Sequence, residues 1–122
     1  MGSQSSLLKS FYHAFEGIKT AFKEEPNFKI HTVIALAVLT LAFFLNFSVS
    51  EWLLLLFTIS FVLIIELVNT SLEDIVNLVN PQIHPLAKKA KDVMAAAVLL
   101  SAATAAVVGS VLFIPKLLEV IR

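Results

Sequence analysis

Glu66-Leu67-Val68-Asn69-Thr70-Ser71-Leu72-Glu73-Asp74-Ile75-Val76-Asn77 is a polar and acidic run set at the end of a greasy one. The fourteen residues before it, Trp52 to Ile65, are uncharged, mostly large and free of helix breakers. That pattern predicts one helix entering or leaving a bilayer. At 3.6 residues per turn, Glu66, Asn69, Glu73 and Asn77 fall within about 80° of one another, a polar stripe on an apolar rod. Ionisable groups at membrane depth are costly and mark functional sites.

Two further runs make this a membrane protein. Thr32 to Ser50 and Val93 to Pro115 carry no charge, and each reaches the roughly 20 residues needed to span a bilayer. The chain has 122 residues, 58% of them hydrophobic, so no soluble domain is left over. The expected fold is all-α: three transmembrane helices and an N-terminal amphipathic helix, in a single domain over residues 1–122. The first span starts too far into the chain, and lacks the small-residue exit, for a cleavable signal peptide. The absence of cysteine excludes disulfides and thiolate metal sites, and a net charge of zero gives no footing for nucleic acid.

In chain order, residues 1–6 are polar and expected to be disordered. Over 7–24, Leu8, Phe11, Phe15, Ile18 and Phe22 recur at steps of three and four, which predicts a helix lying in the membrane interface. Residues 23–27 should break it at Pro26, since the residue before a proline leaves helical geometry. Helices are then predicted over 30–48, 51–79 and 86–119, with Trp52 as an interfacial anchor, a loop over 80–85 and the third span ending near Pro115. Seven of the nine basic residues (Lys9, Lys19, Lys23, Lys29, Lys88, Lys89 and Lys91) share one side of this topology. By the positive-inside rule that side, with the N-terminus and the acidic stripe, faces the cytoplasm across a bacterial inner membrane. The third span is rich in Ala, Ser and Gly, which permits close helix approach in lipid. Three helices are too few to shield the acids of the stripe, so a homo-oligomer with sites between subunits is expected.

Glu66 and Glu73 lie two turns apart, about 10 Å along the axis. They can share a site without sharing an ion: one carboxylate to hold Mg²⁺, the deeper one to take a proton from an alcohol. Glu25, before the first span on the same side, offers a second metal carboxylate. Lys91 and Lys88 offer positive charge for phosphates, with Asp92 or His84 to orient them. Plainer readings stand beside these. Glu66 suits a proton relay in a non-catalytic transporter or rotor subunit, Glu73 and Asp74 suit a solvated helix end, and Lys88, Lys89 and Lys91 serve as topology signals. His13 and His84 suit ordinary interfacial side chains. No Walker loop or glycine-rich phosphate cradle is present.

Glu66-Leu-Val-Asn69-Thr70-Ser71-Leu72-Glu73, together with His84-Pro85-Leu86-Ala87-Lys88-Lys89-Ala90-Lys91-Asp92 and the Ala-Ala-Ala-Val that follows shortly after, resembles the prokaryotic diacylglycerol kinase family of small membrane lipid kinases. Asn27-Phe28-Lys29-Ile30-His31 and Phe113-Ile114-Pro115-Lys116 resemble its undecaprenol-kinase-like branch. The resemblance covers nearly the whole chain. It implies a homotrimer that moves the γ-phosphate of ATP, with Mg²⁺, to a lipid alcohol, undecaprenol or diacylglycerol. It implies Glu66 as general base supported by Asn69, Glu25 and Glu73 as metal ligands, and His13, Glu25, Glu73, Gln82, Ile83, His84, Lys91 and Asp92 around the nucleotide. Phe28 and Trp52, with Glu66, would meet the lipid. One position departs: the family commonly has aspartate where this chain has Asn77.

Overall fold

The computed structural model describes residues 3–79 and 84–122. It comprises four helices, α1 (Ser3–Glu24), α2 (Pro26–Phe44), α3 (Val49–Val79) and α4 (Pro85–Ile121), and no strand among the described residues. The last three are long and apolar enough to cross a membrane. At about 1.5 Å per residue, α3 and α4 exceed the ~30 Å hydrocarbon core, so each must project beyond it. Large apolar side chains are exposed along all three, among them Phe43, Phe44, Phe57, Leu99 and Val111. In water this would be an aggregation surface; in a bilayer it is the lipid-facing surface.

The break between α1 and α2 is narrower than the sequence suggests. Glu25 alone leaves helical geometry (φ −108°, ψ 106°), and Pro26 opens α2 at its first position, where its missing N–H costs nothing. α1 also starts earlier than expected, taking in Ser3 to Ser6. Its stripe of Leu7, Leu8, Phe11, Phe15 and Ile18 is exposed.

Local hydrogen bonds shape the α2–α3 turn. Asn46 takes the left-handed conformation (φ 56°), which asparagine tolerates better than most residues. The Phe47 N–H then reaches back to the Ala42 carbonyl at 3.4 Å, closing a Schellman-type end. Ser48 and Glu51 form a reciprocal capping box. The Ser48 N–H donates to Glu51 Oε1 at 3.0 Å and the Glu51 N–H to Ser48 Oγ at 3.2 Å. Phe47 and Trp52, 6.0 Å apart and edge-on, flank the cap as a hydrophobic staple.

This end of the bundle also holds the core. Ala42, Phe47, Leu55, Leu112 and Phe113 are buried together, with the Phe47 and Phe113 rings 4.9 Å apart. Farther along, α4 presents small or half-buried residues, Ala97, Ser101 and Ala105, at steps of four; Ser101 is only 2% exposed. That is how two helices pack closely where lipid supplies no hydrophobic drive.

α4 runs through Pro115. Proline removes one backbone donor and leaves the carbonyl four residues back, at exposed Val111, without its usual partner. One turn of such disruption is tolerated when the next turn is tied down. Here Lys116 Nζ sits 3.1 Å from Glu51 Oε1 and 5.3 Å from the Phe47 ring centroid, fastening α4 to the turn.

Candidate active site

The buried face of α3 runs Leu55, Thr58, Val62, Glu66, and Asn69, Glu73 and Asn77 continue the same stripe upward. Opposite it, α2 buries Phe28, Ala35 and Ala42. His31 falls between Phe28 and Ala35 at helical spacing, so it faces α3. Its Nε2 lies 3.3 Å from Glu66 Oε1, with the His31 side chain 27% exposed and the Glu66 side chain 3%. The contact has the distance of an ion pair without the alignment of a hydrogen bond, and Glu66 Oε1 has no hydrogen-bond partner.

The other buried polar side chains on the spans differ. Thr58 donates to the Leu54 carbonyl at 2.7 Å and Ser101 to the Val98 carbonyl at 2.8 Å. Their polarity is consumed locally. Glu66 Oε1 and Asn69 Oδ1 are buried and unsatisfied. A buried acceptor without a donor costs roughly 1–3 kcal/mol and is kept where a substrate group or a proton completes it. The expectation that one chain cannot shield the stripe therefore fails for Glu66: the single chain leaves it 2% exposed.

Above this point the polar residues divide between two grooves. Glu73 lines a crevice of about 60 Å³ between α3 and α4 with Leu72, Val76, Ala90, Lys91 and Met94. At its rim Lys91 Nζ donates to Asn77 Oδ1 at 2.7 Å. Glu25 lines a wider groove of about 710 Å³ between α1 and α3, with Glu24, Thr70, Ser71 and Asp74. Glu25 and Glu73 thus line separate grooves of the single chain. Among the described residues no three His, Asp or Glu side chains come together as a metal site. The donors are oxygens, which suits a hard cation in kind. Two carboxylates, once brought together, would leave such an ion its remaining positions for phosphate oxygens and water.

The remaining predicted residues scatter. His84 caps α4, its Nδ1 accepting from the Leu86 N–H at 3.1 Å. Asp92 pairs with Lys88 at 2.6 Å on an exposed face. His13 is exposed and stacks edge-on against Tyr12 at 5.6 Å, outside the groove that Ala14, Gly17 and Ile18 line. Phe28 is buried near the acidic end of the bundle, whereas Trp52 packs against the core at the other. Gln82 and Ile83 lie outside the described residues. His31 is the residue that sequence reading missed.

An unsatisfied carboxylate buried in the spans, with a lysine held above it beside a second acid, suits proton transfer and phosphate chemistry alike. The family profile described as prokaryotic diacylglycerol kinase matches residues 12–113, and the chain belongs to that family. Relatives include an undecaprenol kinase from Bacillus subtilis, 40% identical over 91% of this chain and 90% of its own length. A diacylglycerol kinase from Synechocystis is 44% identical over 93% of this chain and 66% of its own. The diacylglycerol kinase of Escherichia coli K12 is 26% identical, over 87% of each chain.

Proposed function

We propose that this chain transfers the γ-phosphoryl group of ATP to undecaprenol at the inner face of a bacterial cytoplasmic membrane. One observation carries the chemistry: Glu66, almost wholly buried at the end of an apolar span, holds a carboxylate oxygen with no donor. A lipid hydroxyl brought to this carboxylate gives up its proton to it as it attacks phosphorus. Asn69, one turn on and also unsatisfied, supports the reacting groups. Lys91 supplies positive charge to the phosphates, and neutralising charge and aligning the hydroxyl is most of what phosphoryl transfer demands.

Glu25 and Glu73 are the carboxylates that would hold Mg²⁺, which supplies charge neutralisation to the phosphates when bound. Because they line separate grooves of one chain, we place the complete site between subunits of a homotrimer. His13, His84 and Asp92, with Gln82 and Ile83, belong to the nucleotide's surroundings in this reading, and Phe28 and Trp52 to the lipid's. The relative named undecaprenol kinase, matched over nine-tenths of its length, favours undecaprenol. The relatives named diacylglycerol kinases make diacylglycerol the second reading.

Labelled-ATP transfer in mixed micelles, with undecaprenol and diacylglycerol in competition, decides between them; label in the undecaprenol fraction is the expected outcome. In the same assay Glu66→Gln should lower turnover by at least about a hundredfold, the low end of a general base's worth, with ATP binding intact. Turnover surviving the substitution would remove Glu66 as the base.

A further inference from the structure

Glu66 is a carboxylate in a helix that spans a membrane, and such a group needs a partner that keeps it in one geometry. The partner on hand is His31, one helix away, with Nε2 3.3 Å from Oε1. It is the ionisable group that α2 turns toward α3. From α3 the ionisable group facing it is Glu66. Next to His31 lies an apolar chamber of about 380 Å³ to which α4 contributes Ala105, Ala106 and Ser110, without charge. Toward α1, Glu24 and Glu25 line a different groove, and Lys29 on α2 turns its ammonium to the Phe22 ring, 5.3 Å from its centroid. Among the described residues no other charged group pairs with the imidazole.

We infer that His31 is a positioning residue for Glu66. With its proton on Nε2 it donates to Oε1 and fixes the plane of the carboxylate, so that Oε2 is presented to the lipid hydroxyl. The contact is long in the free protein, as hydrogen bonds at active sites are before substrate closes them. In the reaction the alcohol O–H bond breaks and its proton goes to Oε2. The alcohol oxygen bonds to the γ-phosphorus, and the bond from that phosphorus to the β,γ-bridging oxygen breaks with its electron pair leaving on ADP. The proton on Glu66 then passes to water. His31 keeps its own proton throughout. The inference rests on the reading of Glu66 as the base.

The test compares His31→Leu with His31→Gln in the full chain, purified into mixed micelles. Leucine removes the donor, whereas glutamine restores an N–H at similar reach. His31→Leu should lower kcat about tenfold to a hundredfold, less than losing the base itself. KM for ATP should stay within about twofold, because the imidazole does not touch the nucleotide. His31→Gln should recover kcat to within about fivefold of the parent, roughly 1 kcal/mol of barrier. A packing role alone would not produce this split or this rescue. Wild-type kcat in His31→Leu, or equal losses in both variants, would overturn the inference. Glu66→Gln run alongside separates the two readings. If it turns over, the base assignment fails; if it is dead while His31→Leu is unimpaired, only the role of His31 falls.

Discussion

In the proposed phosphate site, Asn77 holds Lys91 with an amide rather than with a charge. Its Oδ1 accepts from Lys91 Nζ at 2.7 Å, so the ammonium is held in place by a neutral partner. An aspartate at the same position would hold the lysine equally well and oppose its field. Exposed charge pairs are worth about 0.2–1 kcal/mol, so Asn77→Asp should raise KM for ATP about twofold to fivefold at low salt. Screening should shrink the effect toward nothing near 0.5 M salt, which steady-state kinetics at two ionic strengths would read. An unchanged KM would take Lys91 off the phosphates. Which residues face one another was only half legible at this scale. The stripe from Glu66 to Asn77 follows from helical spacing on one rod. His31 needed a second rod: two antiparallel helices joined by a short turn bring residues at similar counts from the turn to similar depth. His31 stands thirteen residues before the end of α2 at Phe44, and Glu66 seventeen after the start of α3 at Val49. That count could have flagged the pair, but helix rotation, which decides whether they meet, lies in the packing.

Among the elements, the α2–α3 turn is where local chemistry does most to fix the bundle. Asn46, the Ser48–Glu51 box, the Phe47–Trp52 staple and Lys116 combine there into one unit. Ser48→Ala removes one arm of the box and leaves the Glu51 N–H without its side-chain acceptor. Loss of an N-cap of this kind costs about 1 kcal/mol. The expected outcome is a lower midpoint of thermal unfolding in detergent with kcat unaltered, since Glu66 lies about 27 Å along α3 from the cap. A matching fall in kcat would mean that the turn transmits to the site. Helix identities were legible because charge-free runs and their flanking breaks are long-range patterns in composition. Helix ends were less so. Pro26 separates two helices while sitting where its missing donor is harmless, and an ion pair fastens the turn that follows Pro115.

For the molecule as a whole, the question is which surfaces meet lipid and which meet another copy. The single chain already buries Glu66, so shielding that residue gives no reason to oligomerise. In the proposed reading the reason lies higher: Glu25 and Glu73 open onto different grooves, and an ion held by both would join two subunits. This arrangement was not legible from one chain's periodicity, because rotation about a helix axis assigns a side chain to one groove or the other. It makes a quantitative expectation. Glu25→Ala and Glu73→Ala should each be inactive alone. If a site takes Glu25 from one subunit and Glu73 from its neighbour around a cyclic trimer, equal and random mixing of the two variants places both intact residues at about a quarter of the sites. Co-expression followed by labelled-ATP transfer should therefore recover about a quarter of the parent's activity. A site complete within one subunit predicts none, because every copy carries one lesion. Full activity in a monodisperse monomer would exclude sharing altogether. Glu25 and Glu73 would then have to reach a common ion by rearrangement of α1 over α3, and the groove between those helices would become the moving part of the enzyme.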